Sequence, residues 1–335
     1  MKLKPKSYLN LTLLFCSGLF FLSCNGQSNQ PEVTNLNNND SSKEETINEL
    51  SSDCPYKIYS QTHILTSNDY VDLAKTFINN TKVNNNGALM PFIISQSETI
   101  NIQSLKSLIN TYQCNHSTIP GIAIFLGLIR EGNVYKIKHY LGMIDLEKHD
   151  NPDGQTGILK IPIDSLTIND FSGDLYQIVN SNLKKVNTAE FQVVKASCVK
   201  YVENIKFKNI TDDNYRAFNT SNDASGDSRY IIYPLQIIEE LSLAVTDPNS
   251  SIVISTGLKK IKTGQGDKYM HTINFGTDTP ENASKLDPIK DKAKIDAFKS
   301  YSANFGQLCP TKCKEMTFKY IQVSPDGKKE VQIVN

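Results

Sequence analysis

Two stretches of similar pattern decide the fold. Residues 102–145 read IQSLKSLINTYQCNHSTIPGIAIFLGLIREGNVYKIKHYLGMID, and residues 234–278 read PLQIIEELSLAVTDPNSSIVISTGLKKIKTGQGDKYMHTINFGTD. Each begins with apolar residues at helical spacing, continues through a strand of the form I-x-I-x-x-G-L, and returns in a second strand. Both therefore predict a helix followed by an antiparallel hairpin. An internal duplication would explain the likeness and would place His139 and His271 on equivalent strands.

The rest of the chain predicts the same mixture of elements. Apolar residues at helical spacing predict further helices over 69–82, 174–186, 191–205 and 290–301. Strands are predicted over 91–95, 121–128, 134–144, 251–261 and 268–275, with a last hairpin over 316–323 and 330–334. The fold class is therefore α+β, with antiparallel hairpins and packed helices. Residues 54–165 and 166–335 are interpreted as two α+β units, or as one fused domain over 54–335.

Composition narrows the class of function. The 335 residues include 35 basic and 35 acidic side chains, and 39% of them are hydrophobic. A balanced charge provides no electrostatic surface for nucleic acid, so a nucleic-acid partner is not expected. After the N-terminal segment, no apolar run is long enough to span a bilayer.

The N-terminus has the pattern of an export signal. Lys2, Lys4 and Lys6 precede the short apolar run LTLLFCSGLFFL at 11–22, which ends in Ser23 and Cys24. A small residue directly before a cysteine, after such a run, resembles the lipobox of bacterial lipoproteins. The resemblance implies that residues 1–23 are a lipoprotein signal peptide and that Cys24 becomes the lipidated N-terminus. Its acyl chains, palmitate among them, would then hold the protein on a membrane.

Residues 24–53 are predicted to be a disordered, Asn-rich tether. One lysine stands against six acidic residues in 25–53, hence a net charge of −5, and no aromatic residue is present. This tether and the Phe-containing lipobox resemble lipoproteins of the Bacteroidota, and the pattern over 60–145 resembles uncharacterised lipoproteins of the same bacteria. Because Asn25 follows Cys24 and no acid occurs before Glu32, we expect the periplasmic face of the outer membrane.

The cysteines outside the signal peptide favour disulfides. Export places the chain in an oxidising compartment, where cysteine pairs form readily. Cys198 falls on the apolar stripe of its predicted helix and is expected to stay unpaired. The candidates for pairing are Cys54, Cys114, Cys309 and Cys313. The weaker alternative is a zinc site built from Cys114, His116, Cys309 and Cys313.

One acidic run is the candidate metal site. A hard cation takes several oxygen ligands, which a loop can supply. The run follows a predicted strand and carries carboxylates and an imidazole, and the alternative interpretation is a solvated turn. Its candidate ligands are Asp145, Glu147, His149, Asp150 and Asp153.

The sequence therefore predicts a binding function. It contains no G-x-S-x-G, H-E-x-x-H, Walker A or complete G-x-G-x-x-G motif. We expect a lipid-anchored envelope protein that binds a protein or glycan partner, without a cofactor. Two alternatives stay open: a periplasmic hydrolase that uses a metal in the 145–153 run, and an immunity-type or structural lipoprotein.

Overall fold

Helices and antiparallel strands alternate along the chain in the computed structural model of the protein, which confirms the predicted α+β class. The structure describes residues 56–59, 63–85, 88–91, 96–112, 118–132, 134–152, 156–160, 167–207, 230–243, 245–263, 266–287, 289–297, 300–302, 307–309 and 319–322. The helices are α1 (Ser67–Asn80), α2 (Ile102–Thr111), α3 (Thr188–Asn204), α4 (Leu235–Leu243), α5 (Pro280–Ala283) and α6 (Lys292–Ala297), with a 3₁₀ helix at Ile168–Phe171.

The strands are short except for two long hairpins. They are β1 (Tyr56–Tyr59), β2 (His63–Leu65), β3 (Thr81–Asn85), β4 (Ala88–Pro91), β5 (Ser97–Asn101), β6 (Thr118–Glu131), β7 (Val134–Asp150), β8 (Thr156–Lys160), β9 (Leu175–Val179), β10 (Asn182–Lys185), β11 (Ile205–Phe207), β12 (Tyr230–Pro234), β13 (Ser251–Thr263), β14 (Gly266–Gly276), β15 (Ser300–Ser302), β16 (Gln307–Cys309) and β17 (Lys319–Gln322). The hairpins β6–β7 and β13–β14 are those that the sequence predicts.

These strands form three antiparallel sheets. The large sheet has the order β1-β17-β8-β7-β6-β12-β16, and β9 pairs with β7 and β10 with β9 at its side. The five-stranded sheet has the order β2-β15-β14-β13-β5, and the three-stranded sheet has the order β11-β3-β4. The pairs β6–β12 and β5–β13 join strands from both sides of residue 165.

The two helix–hairpin units have matching surroundings. In each, a short strand leads directly into the helix, and that strand pairs with the first hairpin strand of the other unit: β12 with β6, and β5 with β13. Tyr233 lies opposite Ile122, and Ile100 lies opposite Ile252, at the same place in the I-x-I pattern. The helices α2 and α4 contact each other. An internal duplication would produce this exchange of strands, and it stays a prediction.

Two apolar clusters lie on opposite faces of the β6–β7 hairpin. Because side chains alternate along a strand, Ile122 and Ile124 face one cluster, whereas Ala123 and Phe125 face the other. The first cluster fills the space toward the five-stranded sheet, α2 and α4, and includes Ile254. The second lies under α3 and the 3₁₀ helix.

The segment 174–186 corrects one sequence prediction. It was expected to be a helix, but it forms the hairpin β9–β10. Asn180 and Ser181 have φ of 49° and 63°, and two central residues with positive φ are the signature of the tight turn that joins twisted antiparallel strands. Tyr176 and Ile178 pack toward the first cluster and Leu175 lies in the second, as strand alternation requires.

Other boundaries also differ from the predictions. β7 continues to Asp150 instead of ending at residue 144, because β8 pairs with it beyond Glu147. The predicted helix over 290–301 contains only α6, followed by β15. The helix α1 begins at Ser67, before the predicted start at residue 69, because the hydroxyl of Thr66 caps it and accepts from the N–H of Asp69.

Several predictions lie outside the described residues. They are the signal peptide and tether with Cys24, the pairing candidates Cys54, Cys114 and Cys313, the metal candidate Asp153 and the last strand at 330–334. Within the described part of the chain, no helix is long and apolar enough to cross a membrane.

Candidate functional site

A polar seam joins the large sheet to the edge of the five-stranded sheet. Glu98 lies on β5, opposite Ile254 of β13, on the face of that strand that points into the molecule. The strand β9 pairs with β7 only over residues 140–142, so the N–H of His139 lies just beyond this pairing. The Glu98 carboxylate accepts a hydrogen bond from that N–H at 2.6 Å, where a neighbouring strand would otherwise supply a carbonyl.

Three donors converge on the Glu98 carboxylate. Besides the N–H of His139, the ring Nδ1 of His139 lies 3.1 Å from Oε2, and the Lys138 ammonium pairs with Oε1. Lys138 also donates to the carbonyl of Ile178 at 3.1 Å. Burial raises the pKa of Glu98, but the contacts with His139 and Lys138 outweigh it and hold the pKa below its ordinary value. Glu98 is therefore an ionised carboxylate at neutral pH.

The seam continues inward through a histidine and a threonine. His139 Nε2 lies 2.9 Å from Oγ1 of Thr256, in the middle of β13. The order carboxylate, imidazole, hydroxyl is that of a catalytic relay, in which an acid orients a base and the base activates a nucleophile. Both His139 and Thr256 are 0% exposed, however. In this arrangement the three groups join the two sheets, and the Thr256 hydroxyl is buried.

A groove beside α1 is a second candidate site. It has a volume of about 310 Å³ and lies between the first nine residues of α1 and the segment that contains α5 and α6. Its floor is apolar: Val71 and Ala283 are 6% and 5% exposed, and Leu286 and Ile295 are half-buried. The volume is at the lower end of the range for small-molecule sites.

The rim of the groove is polar and carries both signs of charge. Asp72 and Lys75 lie three residues apart on α1, which places them on the same side of the helix. Within the described part of the chain, neither side chain makes a hydrogen bond or an ion pair. Ser284 lies on the opposite bank, and its hydroxyl donates to the carbonyl of Glu281 at 2.7 Å. The groove therefore offers one acid and one base to a ligand, above an apolar floor.

The structure places four candidate metal ligands on β7 and not in a loop. Asp145, Glu147 and His149 alternate along the strand and are exposed on one face, whereas Asp150 points to the other. His149 Nε2 lies 3.7 Å from Glu147 Oε2. Among the residues that the structure describes, no group of three or more His, Cys, Asp or Glu side chains is arranged to hold a metal ion.

The described cysteine side chain is a thiol. Cys198 on α3 is free, and burial raises its pKa to about 12, so it is protonated at neutral pH. The buried stripe of α3 differs from the prediction, since Ser197 and Tyr201 are buried, whereas Cys198 is half-buried. Cys309 ends β16.

Comparisons with known proteins return no match. No family model, no curated protein and no solved structure matches the chain. The seam and the groove are therefore the features from which a function can be inferred. Sequence reasoning missed both, because each brings together residues from distant parts of the chain.

Proposed function

We propose that this chain is a lipid-anchored protein of the cell envelope whose folded domain binds a ligand in the α1 groove and releases it unchanged. The observation that carries the proposal is the groove: Asp72 and Lys75 lie beside an apolar floor, and neither is paired with another of the residues that the structure describes. A few polar groups at an apolar depression are what a small-ligand site needs, since the floor supplies affinity and the polar groups supply orientation.

Binding without turnover is supported by how the reactive groups are used. The hydroxyl of Ser284, on the bank of the groove, is committed to a backbone carbonyl and not to Asp72 or Lys75. A nucleophile in a catalytic site is instead hydrogen-bonded to a base. The histidine that does contact a hydroxyl, His139, is enclosed between the sheets.

The anchor is supported by the N-terminal sequence. A lipid on Cys24 and a tether of about 29 residues would let the domain reach on the order of 30 Å from the membrane. The proposed place is the periplasmic face of the outer membrane. A protein or glycan partner stays a prediction, as does an immunity-type or structural role.

The anchor has a direct test. Metabolic labelling with an alkyne fatty acid should mark the wild-type protein, and Cys24→Ala should remove the label together with the cleavage after residue 23. Equal labelling of the two proteins would exclude lipidation at Cys24.

Binding in the groove is tested on the full-length protein in detergent. We would measure its unfolding temperature with a panel of L-amino acids, dialanine, glucose and inorganic phosphate, and recover each stabilising compound for mass spectrometry. The expected result is that at least one compound raises the unfolding temperature and is recovered intact. Ser284→Trp, which places an indole in the groove, should abolish the shift, whereas Gln192→Trp on the exposed side of α3 should not.

A hydrolase is the second candidate, because Glu98, His139 and Thr256 have the order and distances of a relay. Opening of the seam would have to expose Thr256. Ester and peptide hydrolysis by the wild type that Thr256→Val abolishes in a folded protein would establish this candidate and end the proposal of binding without turnover.

A further inference from the structure

We propose that the groove binds a free α-amino acid with an apolar side chain. This inference rests on the proposed function, since it names the ligand class of the same groove. It follows from two features of the groove, the adjacent opposite charges on its rim and the apolar floor below them.

The charges match a zwitterion. Residues three apart on a helix have Cβ atoms about 5–6 Å apart, so Asp72 and Lys75 present a carboxylate and an ammonium side by side. At this spacing such a pair commonly forms an ion pair, yet neither side chain is paired within the described residues. An α-amino acid carries its ammonium and its carboxylate on one carbon. It can therefore place its ammonium at Asp72 and its carboxylate at Lys75 simultaneously.

The entry of the groove favours the same orientation. Side chains on a helix lean toward its N-terminus, so a lysine at position 75 can extend its ammonium back along α1 toward the first turn. The ligand's α-carbon would then lie above Val71, which is one position before Asp72 and is 6% exposed. A side chain on that carbon points at the floor of the groove.

The floor selects an apolar side chain. Val71, Ala283, Leu286 and Ile295 present only hydrocarbon, and burying apolar surface there is favourable at roughly 25 cal/mol per Å². A volume of about 310 Å³ holds one amino acid with room for a branched side chain. Ligands with a single charge leave either Asp72 or Lys75 without a partner, and glycine leaves the floor uncovered.

The experiment is a calorimetric titration of the full-length protein with four probes. L-leucine has both charges and an apolar side chain, N-acetyl-L-leucine lacks the ammonium, L-leucinamide lacks the carboxylate, and glycine lacks the side chain. We expect L-leucine to bind at least about threefold more tightly than each of the other three, because a contact with an exposed charged side chain such as Asp72 or Lys75 is worth less than about tenfold in affinity.

Two variants assign the charges. Asp72→Asn should remove the preference for L-leucine over N-acetyl-L-leucine and keep the preference over L-leucinamide. Lys75→Met should do the reverse. Lys200→Met, on the exposed side of α3, is the matched control and should change neither preference. The comparison of the four probes on the wild type needs no variant, so it tests the proposed ligand class even if a variant fails to fold.

The outcomes separate this inference from the proposed function. If L-leucine binds no better than its two blocked derivatives, or does not bind, the proposal that the groove binds a zwitterion is rejected. If another compound then stabilises the wild type and Ser284→Trp abolishes that effect, the groove remains a binding site for a different class. If Ser284→Trp leaves every binding event unchanged, both the inference and the groove are rejected.

Discussion

Replacing Glu98 with glutamine should destabilise the fold far more than the same change in an exposed ion pair. Glu98 has a side chain that is 10% exposed, and its carboxylate serves the N–H of His139, the His139 ring and the Lys138 ammonium. A glutamine at this position keeps one acceptor oxygen but turns an NH₂ donor toward another donor. The Lys138 ammonium then loses its counter-charge.

The expected loss in the free energy of unfolding depends on how exposed to solvent each partner of Glu98 is. Breaking a buried ion pair by removing one member costs about 3–5 kcal/mol. Lys138 is 21% exposed, so its ammonium can turn partly toward solvent, whereas the enclosed His139 cannot. We therefore expect Glu98→Gln to lower the free energy of unfolding by about 3 kcal/mol, toward the lower end of that range.

The matched control is Glu131→Gln. Glu131 pairs with Lys136 at the turn of the β6–β7 hairpin, and both side chains are more than 40% exposed. Exposed pairs contribute less than about 1 kcal/mol, so this change should have a small effect. The assay is urea unfolding of the full-length protein at pH 7, with an unchanged dependence on urea concentration as the check that only stability has changed. Equal losses for the two variants, or a loss below about 1 kcal/mol for Glu98→Gln, would refute the reasoning.

Three further predictions concern acid, packing and cysteines. The pKa of Glu98 is lowered from 4.5 in the folded state, so its contribution to stability is present above that value and is lost as the pH falls through the folded-state pKa. The free energy of unfolding should therefore fall less steeply with decreasing pH in Glu98→Gln than in the wild type. Gly142→Ala should lower the free energy of unfolding by about 1–3 kcal/mol, because the new Cβ would lie 2.4 Å from Cδ1 of Phe171. Gly173→Ala should be close to neutral, because its Cβ would meet nothing within 4 Å. Similar unfolding temperatures for the two variants would contradict this. Peptide mapping without reductant should find one or two disulfides that involve Cys309 and Cys313, with Cys198 unpaired; five free thiols would exclude it.

The elements with clear periodicity could be predicted from the sequence. The helix α2 shows its buried face at Ile102, Leu105 and Leu108, and the I-x-I strands of both hairpins alternate as strands do. The hairpin β9–β10 could not be predicted in this way, because Leu175 and Ile178 are three residues apart and fit a helix equally well. The signal that marks it is the pair Asn180 and Ser181, a weaker turn sequence than Asn-Gly.

The extension of β7 beyond residue 144 is indicated by a sequence pattern that the predicted boundary ignores. Exposed Asp145 and Glu147 alternate with buried Leu146, which is the pattern of a strand with one solvated face. The seam left no signal in the sequence, since Glu98, His139 and Thr256 come from three distant strands and only the tertiary fold brings them together. The groove left no signal either, because α1 packs against α5, and only the tertiary fold places Ile295 of α6 at the same groove as Asp72.

The most direct test of the account is a methyl NMR titration of the full-length protein with L-leucine. The floor of the groove consists of four methyl-bearing residues, Val71, Ala283, Leu286 and Ile295. If L-leucine binds in the groove and is released unchanged, their methyl signals will shift together and saturate, the signals of buried Ile254 beside the seam will stay in place, and the leucine spectrum will be unchanged after hours. Saturating shifts that map to other residues, or chemical conversion of the ligand, would contradict it.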